Sequence, residues 1–342
     1  MLYFGNDYLQ GAHPNVLDAI VKTNTENLPG YGTDHYCDSA EVKILSACGV
    51  PDGEVHFITG GTQTNQIIIA SLLKIYQAVI SADSGHIATH EAGAIEYSGH
   101  KVLTLLGQDG KLKPADVADY LKRFYQDDNR SHMTRPGMVY ISHPTEYGTL
   151  YTKEELTELS TICKSYDIPL FMDGARLGYA LACPESDLSL TDIANLVDVF
   201  YVGGTKVGAL CGEAVVFPSK QTVPPHFETI IKQHGALLAK GRLLGIQFDT
   251  LFTDSLYLSI SQHTIEMAQL LKNGLQAKNY QFFIDSPTNQ QFIIVDNDFL
   301  ETLKEHVSYT IWEPYDDQHT VIRLVTSWYT KKEEVIELLT YF

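Results

Sequence analysis

Short β-branched apolar runs alternate along this chain with segments of helical periodicity, and that alternation most limits its fold. The runs are EVHFI (54–58), KVLTL (101–105), MVYIS (138–142), PLFMD (169–173), DVFYVG (198–203) and EAVVF (213–217). Between them lie helical patterns such as Pro114–Tyr125, Lys153–Tyr166 and Pro225–Lys240, and the apolar stretch QIIIASLLKIY. Strands that read apolar throughout, separated by helices, predict an α/β fold with a mainly parallel sheet covered on both faces. After about residue 245 the pattern changes. A long helical stretch (Tyr257–Asn279) is followed by QFIIV (291–295), a short helix, TVIRLVT (320–326) and a closing helix Lys331–Tyr341. The division expected is an N-terminal arm (1–30) able to pack on a partner subunit, a large domain (31–245) and a smaller α+β domain (246–342).

Composition narrows the function. The 342 residues carry 24 Lys+Arg against 42 Asp+Glu, a formal net charge of −18. Phosphate-backbone binding needs clustered Lys and Arg, so neither a nucleic acid nor an anionic membrane is an expected partner. No apolar run approaches the ~20 residues of a membrane helix. The five Cys are widely spaced with no CxxC, which fits free thiols in a reducing cytoplasm. Only six Arg occur: Arg123, Arg130, Arg135, Arg176, Arg242 and Arg323.

Four segments put unusual residues where strands end. Thr59-Gly60-Gly61-Thr62 opens the apolar helix, and glycines at a helix start let a phosphate reach backbone N–H groups. The same residues also suit an ordinary glycine turn with a Thr cap. Asp173-Gly174-Ala175-Arg176 ends the strand PLFMD. Its carboxylate can hold a buried cation and its guanidinium an anion, although an Asp turn beside a surface Arg reads the same way. Lys206 is the one charge among the fourteen residues between Asp198 and Glu213. A buried Lys becomes a nucleophile able to form a Schiff base, whereas a loop Lys snorkels to water. His86, in GHIATHE, can stack on a flat group, and with His90 and Glu91 it also forms a weak metal-ligand pattern. A Schiff-base Lys, an Asp for a ring nitrogen, a phosphate cup and a stacking ring are together what pyridoxal phosphate (PLP) requires.

On these motifs the sequence resembles the threonine aldolase family, in the β-eliminating lyase group of fold-type-I, aspartate aminotransferase-like PLP enzymes. The specific pieces are GGTQTNQ (60–66), GHIATHEAGAIE (85–96), DGAR (173–176), GGTKVGA (203–209) and RLVTSW (323–328). The resemblance implies Lys206 as the Schiff-base residue, Asp173 as partner of the pyridine nitrogen, His86 as the stacking ring, and Gly61 and Thr62 as phosphate ligands. Arg176 and Arg323 would hold the substrate carboxylate, with Arg176 also reaching the cofactor. Asn6 stands in the family's Ser-Asp substrate-binding pair, here Asn6-Asp7. Tyr31 resembles a residue that reaches a neighbouring subunit's site, and Arg242, with Lys240, one that adds phosphate contacts there. The chain departs from the family where Asn-Thr-His is usual: here His143-Pro144-Thr145-Glu146 follows the strand. Glu146 then takes the place of the His at the substrate hydroxyl, with His90 and His143 as rival bases.

The implied activity is cleavage of a small β-hydroxy-α-amino acid, threonine or allo-threonine in kind, to glycine and an aldehyde. The implied assembly is a homodimer or homotetramer with sites at the subunit interface. Alternatives at this point are another PLP reaction, β-elimination or transamination, and a metallohydrolase built on His86, His90 and Glu91.

Overall fold

The apolar runs form the strands of a seven-stranded sheet. In the computed structural model, which describes residues 1–342, the strand order is Glu54–Ile58, Glu213–Phe217, Val199–Gly203, Leu170–Asp173, Arg135–Ser142, Gln77–Ala82, Val102–Leu105. Neighbours are parallel except Glu213–Phe217, which runs against both strands beside it. Side chains alternate between two cores. Val139, Ile141, Met172 and Phe200 face one layer of helices, while Met138, Tyr140, Phe171 and Tyr201 face the other. Burial on both faces is why these strands read as unbroken apolar runs.

Helix starts follow local capping chemistry. Thr152 and Glu155 form a reciprocal capping box at Lys153–Ser165, and Asp34 caps His35–Cys48 through the Tyr36 and Cys37 N–H groups. Helix Gly61–Leu72 differs. Gly60 stands at its N-cap and no side chain caps it, so its first N–H groups remain available to an anion.

Two expectations are corrected. The helix expected over Pro225–Lys240 spans only Phe227–Gln233, because Gly235 takes a left-handed conformation (φ 73°) that ends it. The apolar helix expected through Tyr76 ends at Leu72, and Gln77–Ala82, not among the expected strands, forms an inner strand. Residues 1–30, expected as an arm, make contacts with the rest of this chain. Leu2–Tyr3 pairs with Val307–Ser308 of the small domain, His13 N–H donates to Gly208 O (2.8 Å), and helix Pro14–Thr23 packs on Arg242–Leu251.

The small domain is a four-stranded antiparallel sheet in the order Thr310–Pro314, His319–Val325, Gln290–Asp296, Gln281–Ile284. Helix Leu256–Ala277 joins it to the large domain. Tyr257, Ile260 and Ile265 belong to the large core, and Met267, Leu271 and Leu275 to the small one. The change of core therefore falls inside this helix, beyond the boundary expected at 245/246.

Candidate active site

The carboxyl ends of five strands and the start of the reversed strand meet at one cleft, where ligands bind in open α/β sheets. Its inner part is a cavity of about 250 Å³ lined by Gly60, Gly61, Thr62, Asp173, Lys206 and Glu213. Its outer part, about 510 Å³, is lined by Tyr8, His90, Tyr147, Gln290, Trp312 and Arg323. His86, Glu146, Arg176 and Lys206 line both.

Asp173 lies at the inner end, buried. Oδ1 accepts the Tyr201 hydroxyl (2.5 Å) and the Ala175 N–H (3.0 Å); Oδ2 accepts the Tyr140 hydroxyl (2.7 Å) and Asn65 Nδ2 (3.0 Å). Burial opposes its ionisation, but the nearby His86 and the hydroxyl and amide donors outweigh burial and hold the carboxyl below its ordinary range. An ionised carboxylate in this position suits a protonated ring nitrogen. Asn65 also donates to Glu91 Oε1 (2.7 Å), which bonds His86 Nδ1 (2.8 Å). The buried Glu91 thereby fixes the imidazole, 36% of which is open to the cleft.

Gly174 explains the tightness of this corner. A Cβ there would sit 1.9 Å from Tyr201 O, so Gly174→Ala cannot be seated without separating two strands. The expected result is a stability loss of about 3 kcal/mol, read by urea denaturation of purified protein.

Lys206 reaches the middle of the cleft, its amine with no hydrogen-bond partner, and it is the one lysine among the lining residues. Burial and the Arg176 guanidinium lower its pKa, against the opposing pull of Asp7, Asp173 and Glu213. A lowered pKa leaves more free amine for attack on a carbonyl. Tyr179 and Tyr257 position its backbone, donating to Lys206 O (2.5 Å) and Gly203 O (3.0 Å).

The two arginines are held differently. Asp7 grips Arg176 bidentately, Nε at 2.6 Å and Nη2 at 3.0 Å, and also accepts Asn289 Nδ2 at 2.9 Å. Burial works against the Asp7 charge, yet the Arg176 guanidinium holds the carboxyl down to about 2. Arg323 gives Nη1 to Gln290 Oε1 (2.9 Å) and lies over the Trp312 ring (5.3 Å). Burial and the positive Arg176 lower its pKa to about 10. Its buried Nε and the buried Gln290 Nε2 have no partner, two donors fitted to an incoming carboxylate.

Glu146 is half-buried between the two cavities. Oε1 accepts the His86 N–H (2.9 Å) and the Ser142 hydroxyl (2.6 Å), and burial raises its pKa. His90 lines the outer part, 6.4 Å from Trp312 between ring centroids. His143 does not line the cleft. It faces Tyr151, and burial lowers its pKa to about 4.

Several sequence-derived assignments stand apart from this cleft. Asn6 turns to the Tyr8 N–H (3.1 Å), and its neighbour Asp7 supplies the buried group. Arg242 donates to Thr23 O and to Glu26 O (2.8 Å), satisfying carbonyls at the end of helix Pro14–Thr23, and it lines a separate cavity with Asn24 and Leu28. Tyr31, 48% exposed, also lies in a different cavity, with Lys232 over its ring (4.7 Å). His86, His90 and Glu91 do not converge on one point; no group of three His, Cys, Asp or Glu in the chain is arranged to hold a metal.

Tyr140, Tyr201, Gln290 and Asn65 carry roles here that the sequence does not reveal, and Glu91, a candidate metal ligand by sequence, instead holds His86. Asn65 and Glu91 fall inside GGTQTNQ and GHIATHEAGAIE, and their polarity next to apolar residues is the signal that marks them.

This sheet, with a lysine, a carboxylate and an uncapped helix start at its carboxyl end, is the arrangement of fold-type-I PLP enzymes. Thermus thermophilus aspartate aminotransferase shares the fold, with a TM-score of 0.71 at 15% identity over 100% of this chain and 95% of that one. A profile of the family "Beta-eliminating lyase" matches residues 9–298. A "Low specificity L-threonine aldolase" of Pseudomonas sp. is 31% identical over 98% of this chain and 95% of its own length. The solved threonine aldolase of Leishmania major superposes with a TM-score of 0.96 at 43% identity, covering 99% of this chain and 98% of that one. The chain belongs to the threonine aldolase family of the beta-eliminating lyases.

Proposed function

We propose that this protein cleaves a β-hydroxy-α-amino acid of the threonine or allo-threonine kind to glycine and an aldehyde, using PLP carried on Lys206. The observation that carries the reading is the single unpartnered lysine amine in a cleft shared with the Asp173 carboxylate and two half-buried arginines. Relatives called threonine aldolases support it. When bound, PLP supplies an electron sink for the carbanion left at Cα. Asp173 keeps a proton on the ring nitrogen, His86 covers a ring face, and the N–H groups at Gly61 and Thr62 hold the phosphate. Arg323 with Gln290, and the free edge of Arg176, hold the substrate carboxylate and so orient the bond to be broken. Glu146 takes the proton of the β-hydroxyl.

The experiment is direct. Purified protein is incubated with PLP and a panel of β-hydroxy amino acids, and the products are identified. Glycine with an aldehyde is the expected outcome; ammonia with a keto acid overturns it.

Glu146→Gln is expected to lower kcat/KM by on the order of 10²-fold or more while PLP still binds. A base acts when ionised, so the wild-type rate falls as pH drops through the Glu146 pKa, which burial raises. The variant loses that acid limb, as a pH–rate profile will show.

The assembly that fits is a cytoplasmic homodimer or homotetramer. Its support is the family resemblance and the exposed Tyr31, placed away from its own chain's cleft for use in a second copy's. Light scattering of the purified protein tests the stoichiometry. No helix is long and apolar enough to cross a membrane.

A further inference from the structure

Glu213 is a cavity residue to which the proposed chemistry gives no task. It begins the one sheet strand that runs against its neighbours, so it pairs with Ile58 on one side and Gly203 on the other. That register sets a carboxyl, 3% exposed, at the same end of the sheet as the uncapped helix start. It lines one cavity with Gly60, Gly61, Thr62 and Lys206. Oε1 accepts the Thr205 hydroxyl (2.8 Å) and Oε2 the Gly204 N–H (3.1 Å).

A carboxylate in a cavity built for an anion is a like-charge conflict. Two anions sharing one desolvated site force a proton onto one of them. A phosphate ester has its second pKa near 6, so above neutral pH it enters as a dianion. In the free protein the Lys206 ammonium balances an ionised Glu213. Once a dianion enters, that balance is lost. A protonated Glu213 removes the repulsion and offers a hydroxyl donor in place of an acceptor.

We propose that binding of the phosphate end of the cofactor is proton-linked through Glu213, which takes one proton from solvent as the dianion enters and returns it when the dianion leaves. This rests on the assignment of the cavity to PLP. The groups that act on this carboxyl come from every side. Lys206 and Thr205 on the preceding loop favour its ionised form, as does the Gly204 N–H. Asp173 at the end of Leu170–Asp173 disfavours it, and the phenols of Tyr201 and Tyr257 and the Cys211 thiol lie within its field. Burial is the largest influence and sets the free carboxyl at about 8, so both protonation states are reachable under ordinary conditions.

The consequence is a pH-dependent affinity confined to phosphate-bearing ligands. Above about pH 8 each further unit costs wild type about tenfold in phosphate affinity through this group. The test is calorimetric titration of the cofactor-free protein with inorganic phosphate at about pH 9, in buffers of different ionisation enthalpy, for wild type and Glu213→Gln. Inorganic phosphate avoids the Schiff base, and because Glu213 also raises the Lys206 pKa, the comparison is repeated in a Lys206→Ala background, which removes that amine from both proteins. Wild type is expected to take up close to one more proton per phosphate than the variant. Equal uptake in the two proteins overturns the proposal. Should the variant not fold, the wild type alone decides: an infrared difference spectrum gains a protonated-carboxyl band on phosphate addition, and its absence overturns the proposal. Borohydride trapping of PLP on Lys206 separates the two readings. Trapping without proton uptake sinks this inference alone; absence of trapping sinks the cofactor assignment and this inference with it.

Discussion

Lys206→Ala is expected to lower kcat/KM for threonine cleavage by on the order of 10⁴-fold or more. The argument starts from position. Lys206 is the single lysine lining the cleft, and its amine spends itself on no hydrogen bond. Its lowered pKa, caused first by burial and then by Arg176, raises the share of neutral amine available to a carbonyl carbon. Alanine removes the nucleophile, and no other amine in the cleft can replace it. Arginine restores the charge but not the nucleophile, so Lys206→Arg is expected to be equally inactive. The measurement is steady-state cleavage together with borohydride labelling and peptide mapping. Labelling at another lysine, or unchanged turnover in the alanine variant, overturns the assignment. The backbone anchors from Tyr179 and Tyr257 do not depend on the side chain, so the variant should fold normally.

Asp173→Asn is expected to cost 10²- to 10³-fold in kcat, the order found when one preorganised electrostatic group is removed. Asp173 is held in its ionised form because the nearby His86, two phenols and an amide outweigh burial. Asparagine keeps the shape but cannot stabilise a protonated ring nitrogen. The electron sink weakens while Lys206 remains able to carry the cofactor. An absorbance spectrum of the reconstituted variant separates loss of binding from loss of chemistry. Tyr201→Phe gives a graded comparison: it removes one of four donors and should cost closer to tenfold, by the ~1 kcal/mol of a single hydrogen bond. Activity of Asp173→Asn within a factor of two of wild type would remove the carboxylate from the mechanism.

The four inner runs read as strands were legible because burial on both faces demands apolar residues throughout, whereas the edge runs EVHFI and KVLTL are less buried and were legible from their β-branched and aromatic residues. Lys206 was legible for the converse reason: one charge in an apolar stretch needs a purpose. Gln77–Ala82 was not, because it follows an apolar helix with only a short turn between, and both segments read alike. The role of residues 1–30 was also hidden. A two-residue pairing between Leu2–Tyr3 and Val307–Ser308 leaves no local signature, and the partner lies some three hundred positions away. Within the cleft, strand ends and glycines pointed to Gly61, Asp173 and Lys206. The supporting set of Asn65, Glu91, Tyr140 and Gln290 depended on which faces of which elements meet, a property of packing. Arg242 shows the limit of likeness: its motif matches loosely, yet its guanidinium is occupied by the carbonyls of Thr23 and Glu26.

The buried clasp of Asp7 on Arg176 and Asn289 also bears on the order of events at the ribosome. Asp7 is made before Arg176, and Asn289 after both. Phe4 O accepts the Val325 N–H later still, at 2.8 Å. The large domain can collapse on itself while synthesis continues, but its substrate grip stays open until strand His319–Val325 and Asn289 meet the segment around Asp7. A nascent or truncated chain lacking residues 289–325 thus has a lysine, a carboxylate and Arg176 but neither Gln290 nor Arg323 to complete the grip on an amino acid. Synthesis through Arg323 is required before the cleft can hold its substrate fully.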